Sequence, residues 1–89
     1  MTTLQILRKA RALVARENGW VQHNYKTENG VCASGAIVEA ERDHWTPAEC
    51  LRQAIGENDI PQWNDAKRRT QAEVVAAFDC AIRLAKEKP

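Results

Sequence analysis

The strongest constraint on how this chain can fold is the run from Thr70 to Lys86. Thr70 and Glu73 stand at capping-box spacing: the Thr hydroxyl can accept from the Glu73 backbone N–H, and the Glu carboxylate from that of Thr70. Val74, Val75, Phe78, Ala81, Ile82 and Ala85 then recur at three- and four-residue steps, which places them on one side of a helix. Glu73, Arg83 and Lys86 fall on the wet side. A capped stripe of this length needs apolar partners, so the spacing predicts the main wall of a helical core.

The upstream sequence supplies those partners. Thr2 and Gln5 repeat the capping-box spacing ahead of Leu4, Leu7, Ala10, Ala12, Leu13 and Val14, with Ile6 at the border of that stripe. Asn18-Gly19 is a stop signal, with Gly expected in the left-handed conformation at C′. Trp20 and Val21 are expected to fold back over the helix end. Residues 22–30 read as a loop with an optional two-stranded excursion, because Asn29-Gly30 is a turn signal. A second helix is expected from about Val31–Ala33 to about Arg42, with Ala33, Ala36, Ile37 and Ala40 inward. Ser34 and Gly35 leave room beside it for another helix. Thr46-Pro47-Ala48-Glu49 reads as a third helix start: Thr46 at the N-cap, Pro47 at N1 and Glu49 closing the box. That helix places Cys50, Leu51, Ala54 and Ile55 inward and stops at Gly56. Residues 57–62 read as a connector in which Ile60 plugs the core.

The pattern therefore predicts an all-α fold: one compact, irregular four-helix domain over residues 1–89. The 89 residues suffice for one small domain. No apolar run approaches the ~20 residues needed to cross a bilayer, and the start carries no signal-peptide core, so a cytoplasmic setting without membrane is expected.

Charge is uneven along the chain. Residues 1–29 carry five Lys or Arg against two Glu, residues 30–62 two against six acids, and residues 63–89 six against four. The net charge of +1 argues against a protein whose whole surface attracts a phosphate backbone. Lys67-Arg68-Arg69, with Arg8, Lys9 and Arg11, is the sole route to weak nucleic-acid binding, and a charge run of this kind is ordinarily a solvated face. The three cysteines, Cys32, Cys50 and Cys80, form no disulfide framework. A zinc site would have to recruit Cys32, Cys50, His44 and His23 from scattered positions, so neither metal nor cofactor is expected.

Three groups of residues could carry function. Cys32 falls at a helix N-terminus, where backbone N–H groups favour a thiolate. With His44 or His23 as base and Asp65 or Asp43 as orienter, it could be the nucleophile of a hydrolase or transferase. The structural alternative is a small buried residue on a packed helix. Trp63-Asn64-Asp65 could face a ligand, or could insert a Trp into the core while the Asx pair holds a turn. Trp20, Trp45 and Tyr25, if exposed together, would mark a protein-binding patch. Asp79 can pair with Arg83 at i+4, or sit half-buried against Trp63 or the end of the second helix.

Several pieces occur in a familiar order: Cys32-Ala33-Ser34-Gly35-Ala36-Ile37, Trp63-Asn64-Asp65, Thr70-Gln71-Ala72-Glu73-Val74-Val75, then Phe78-Asp79 with Ala81-Ile82. Together they resemble a family of small uncharacterised proteins of actinobacteria, other bacteria and phages. That family pairs a Cys-x-x-Gly-Ala helix with a Trp-Asn-Asp turn and a closing Phe-Asp-x-Ala-Ile helix. The resemblance implies one compact domain in a bacterial or phage setting and brings no assigned activity. The Lys67-Arg68-Arg69 stretch is more basic than the family's link, so no shared role is carried onto it. The leading expectation is a non-enzymatic module that binds another protein, through Trp63, Asn64, Asp65, Trp20 and Trp45. A helical domain this small has little room for a deep pocket, and no convergent acid–base set is visible.

Overall fold

A computed structural model describes residues 2–40 and 45–87, with Trp45 described by its backbone alone. Five helices follow in order: α1 (Thr3–Ala15), α2 (Ala33–Ala40), α3 (Trp45–Ile55), α4 (Ile60–Asn64) and α5 (Gln71–Glu87). The fold is all-α, and the fifth helix is the short α4, which stands where a connector is expected. Asp59 caps it by accepting from the Gln62 N–H at 2.9 Å, and Pro61 sits in its first turn. Ile60 plugs the core as expected and is 2% exposed.

The closing helix behaves as its pattern predicts. Thr70 N–H donates to Glu73 Oε1 at 2.9 Å, and Glu73 N–H to Thr70 Oγ1 at 3.2 Å. Val74, Phe78, Ala81 and Ile82 are buried, and α5 packs on both α1 and α3. The α1–α5 pair runs antiparallel and is pinned twice. Gln71 Nε2 donates to the Val14 and Arg16 carbonyls at 2.7 and 2.8 Å, satisfying acceptors that a helix end leaves open. Arg11 Nε bonds Asp79 Oδ1 at 2.5 Å near the middle of both helices. Asp79 thus finds its partner on α1, and neither Arg83 nor Trp63 serves. On α1, Ile6 is buried and Ala12 exposed, so the stripe turns slightly from its expected position. The Thr2–Gln5 capping box is present.

Gly19 and Gly35 act differently from their sequence reading. At the end of α1 it is Asn18 that takes the left-handed conformation, with φ of 58°. Gly19 is required for space instead, because a Cβ there would strike the Leu13 carbonyl oxygen. Gly56, with φ of 68°, does end α3 in the left-handed region. Gly30 is buried under the Asn18 carbonyl and ends a tight turn, with Thr27 N–H on the Gly30 carbonyl at 2.8 Å; the two-stranded excursion around it is limited to one antiparallel bridge, Lys26 to Val31. Gly35 opens space for the loop before α2, not for another helix: a Cβ would meet the Tyr25 carbonyl oxygen. α3 begins at Trp45, so Thr46 and Pro47 lie within its first turn and Glu49 pairs with Arg52 at 3.0 Å. Pro47 remains where its missing N–H has no helical partner to lose. The expected end of α2 near Arg42 lies outside the described residues.

Gly35→Ala tests the loop contact by its sign. Helix propensity alone favours the change by about 1 kcal/mol. The added methyl meets a backbone carbonyl that cannot rotate away, and overpacking costs about 1–3 kcal/mol. The expected result is a net loss of stability, seen as a lower urea midpoint with unchanged m-value. A gain in stability would show that the loop yields freely.

Candidate functional site

The site is built around one buried side chain. Asn64, the last residue of α4, is fully buried and is the sole buried polar residue among those described. Its Oδ1 accepts from the Trp20 indole N–H at 2.6 Å and from the Ala33 backbone N–H at 3.0 Å. Its Nδ2 donates to the Val21 carbonyl and to Asp65 Oδ1, each at 3.0 Å. Two acceptor positions and two donors on the amide are therefore all used. The backbone joins in: Gln22 Nε2 bonds the carbonyls of Asn64 and Ala66, both at 3.0 Å. Asp65 Oδ1 also accepts the His23 backbone N–H at 2.8 Å.

This network fixes the segment from Gly19 to Cys32. Its ends are tied by Val31 N–H to the Gly19 carbonyl at 2.9 Å and Val21 N–H to the Val31 carbonyl at 3.1 Å. Cys32 N–H reaches back to the Tyr25 carbonyl at 3.1 Å. The segment is a compact loop with adjoining ends, packed on α2 and α4 rather than extended into solvent. His23 turns the chain through a left-handed conformation, φ 66°, without a glycine.

Between this loop, the start of α2 and α4 lies a half-open cleft of about 200 Å³ lined by His23, Asn24, Tyr25, Cys32, Ser34, Pro61 and Asp65. Cys32 stands immediately before α2 and is 5% exposed. Its carbonyl accepts from Ala36 N–H at 2.9 Å and its sulfur from Gly35 N–H at 3.3 Å, the pattern of an N-cap made with a thiol. His23 Nδ1 lies 3.9 Å from Asp65 Oδ2. Among the described residues, Tyr25 is the large apolar residue most open to solvent, at 47%.

The electrostatics follow from these contacts. The His23 backbone N–H, aided by the Asn64 amide and the His23 ring, holds the Asp65 carboxyl below its ordinary range despite partial burial. Partial burial pushes the Tyr25 hydroxyl up, and the neighbouring Glu39 carboxylate and Cys32 thiol add to the shift. Glu39 is itself paired with Lys26 at 3.2 Å.

The residues singled out in the sequence divide into three sets. Cys32, His23 and Asp65 come together in the cleft. Trp63, Asn64 and Trp20 instead serve the scaffold: Trp20 is half-buried with its indole N–H bound, and Trp63 is half-buried beneath the Arg69 guanidinium, 4.1 Å from its ring centre. Arg69 also bonds the Trp63 carbonyl at 3.0 Å and Glu73 at 3.2 Å, so one member of the basic run is structural. His44, Asp43 and the side chain of Trp45 lie outside the described residues. Tyr25, Asn24, Ser34 and Pro61 complete the cleft; of these, only Tyr25 has a sequence signal, as an aromatic in a polar loop. Among the described residues, no group of three His, Cys, Asp or Glu is placed to hold a metal ion, and no helix is long and apolar enough to cross a membrane.

A family model described as a family of unknown function, DUF6197, matches residues 1–84. Nothing among the curated proteins or the solved structures matches.

Asn64→Ala strands the Trp20 N–H, the Ala33 N–H and the Val21 carbonyl, and an unmet buried polar group costs about 1–3 kcal/mol. A loss of at least about 3 kcal/mol is expected in chemical denaturation, with no loss of Trp63 stacking where the variant remains folded. Asp65 gives a pH signature. Because its folded pKa is depressed, its stabilisation is complete above the ordinary value of 3.8 and is lost as pH falls through the lower folded value. Asp65→Asn is therefore expected to flatten the stability–pH profile between 3.8 and the lower folded value, while leaving the slope above that window unchanged.

Proposed function

The chain belongs to this family of unknown function, and we propose that it is a protein-interaction module whose docking face is the 19–32 loop with the cleft beneath it. The observation that carries this reading is Tyr25: a large aromatic, 47% exposed, on a loop held to the body of the protein at several points. Tyr is enriched at binding hot spots because a rigid ring offers much contact area at small entropic cost. A loop already ordered by the Asn64 network loses little further freedom on docking.

The dimensions of the cleft support a protein partner over a free small molecule. At about 200 Å³ it is below the ~300–1,000 Å³ of ordinary ligand pockets. It matches a single side chain delivered by a larger partner. A nucleic-acid role gains less support, since Arg69 is committed to Trp63 and Glu73, and Arg11 to Asp79. A bacterial or phage origin and a cytoplasmic setting belong to the same proposal; they rest on the order of the Cys-x-x-Gly-Ala, Trp-Asn-Asp and Phe-Asp-x-Ala-Ile motifs.

A photo-crosslinking residue placed at Tyr25, with Lys86 on α5 as the control position, tests the reading in cells that express the chain. Position 25 is expected to give a discrete protein adduct that position 86 does not. The purified partner is expected to bind Tyr25→Ala at least about tenfold more weakly than the parent chain. No adduct at position 25, or equal labelling from both positions, would count against a docking face here.

A further inference from the structure

We infer that the cleft receives a lysine side chain of the partner protein, with its ammonium on Asp65 Oδ2 and its methylene stem along Tyr25, Cys32 and Pro61. The inference rests on the docking reading for the source of that lysine, and adds the chemistry the partner must present.

The two oxygens of Asp65 are used differently. Oδ1 already accepts twice, from the His23 backbone N–H at 2.8 Å and from Asn64 Nδ2 at 3.0 Å. Those bonds hold the carboxylate on the rigid network around Asn64. Oδ2 takes no hydrogen bond from any described residue; the His23 ring nitrogen, at 3.9 Å, is too distant for one. The Asp65 side chain is 30% exposed and lines the cleft. A charged oxygen is thus fixed in place beside a half-open volume and has its hydrogen-bonding capacity unspent.

The chain's own cations do not take that position. Lys26, the lysine of the loop, pairs with Glu39 at 3.2 Å. Arg69 is held by the Trp63 carbonyl and Glu73. Among the described residues, only the His23 ring comes within ion-pair distance of Asp65.

The lining of the cleft selects among side chains. Tyr25, Pro61 and Cys32 offer apolar surface to an alkyl stem, and lysine lays its methylenes on such surface while its head stays among polar groups. The half-exposed Tyr25 ring also attracts a nearby cation through its π face. Ser34 and Asn24 supply further acceptor oxygens for an ammonium with three donors. An arginine fork binds a carboxylate best through both oxygens, and Oδ1 is already saturated. An apolar side chain would strip water from Oδ2 and give nothing back. An acidic one would meet the Asp65 charge directly.

The test titrates the isotopically labelled full chain with Nα-acetyl-lysine methylamide and with its norleucine and arginine counterparts, followed by NMR. The work is done at about pH 8, where free imidazole is neutral and an ammonium is still charged. Saturable shifts at the His23, Tyr25 and Asp65 amides are expected with the lysine probe at millimolar concentrations. The norleucine probe, which has the stem without the charge, is expected to bind at least about tenfold more weakly, and the arginine probe about threefold more weakly. Asp65→Asn keeps an oxygen for the His23 and Asn64 donors and removes the charge. This variant is expected to leave the Trp20 indole N–H resonance in place and to weaken the lysine probe about tenfold or more, with norleucine unchanged. High salt gives an independent reading on the parent chain: lysine weakens and norleucine does not. No saturable shift in the cleft, equal binding of lysine and norleucine, a preference for arginine, or lysine binding indifferent to both Asp65→Asn and salt would overturn the proposal. An adduct at position 25 alongside any of these leaves the docking face standing and removes only its lysine. Lysine-selective shifts without an adduct at position 25 strike the docking face and support the lysine site.

Discussion

The 19–32 loop, the start of α2 and the end of α4 all depend on a single buried carboxamide. Asn64 joins a loop, the first turn of α2 and the end of α4 through four side-chain hydrogen bonds, in a place water does not reach. In such surroundings a polar group is costly unless every lone pair and proton finds a partner. Here they do: among the described residues, no buried side-chain nitrogen or oxygen lacks one. A fully satisfied network has few alternative arrangements of similar energy, so it specifies geometry as well as adding stability. The length of α4 follows from this. Asp59 and Pro61 start it, and five residues suffice to carry Asn64 inward.

The helices themselves were legible because their signals are local. Thr2 with Gln5 and Thr70 with Glu73 are capping boxes in sequence and in space. The apolar steps of α5 mark its buried face. The short α4 left no such mark, since five residues show no periodicity and Gly56-Glu57-Asn58-Asp59 reads as turn chemistry. Partners across the fold were also hidden. Asp79 sits at i,i+4 from Arg83, yet geometry gives it to Arg11 on the antiparallel α1. Gly35 reads as a helix-packing glycine, yet its space is taken by a loop carbonyl.

The candidate site was legible as a list of residues and not as a place. Cys32, His23 and Asp65 could be named from their chemistry, but His23 and Asp65 are far apart in sequence and meet only because Asp65 accepts the His23 backbone N–H. No pattern in residues 22–30 announces an ordered loop. Its one conformational oddity, left-handed His23, occurs without the glycine that ordinarily signals it. The Trp-Asn-Asp triplet combines both of its readings: Asn64 and Trp63 hold the scaffold, while Asp65 belongs to the scaffold and to the cleft. The small residues of α2, Ala33, Gly35 and Ala36, let the loop and the neighbouring helices approach closely enough for that sharing.

Hydrogen exchange at two protons tests the central role of Asn64 most directly: the Trp20 indole N–H and the Ala33 backbone N–H, measured by NMR under native conditions. If the buried carboxamide holds loop and helix together, both protons exchange only with global unfolding, at rates matching the slowest core amides of α5. Exchange of either proton orders of magnitude faster than that core would show the tie opening on its own and would contradict the account.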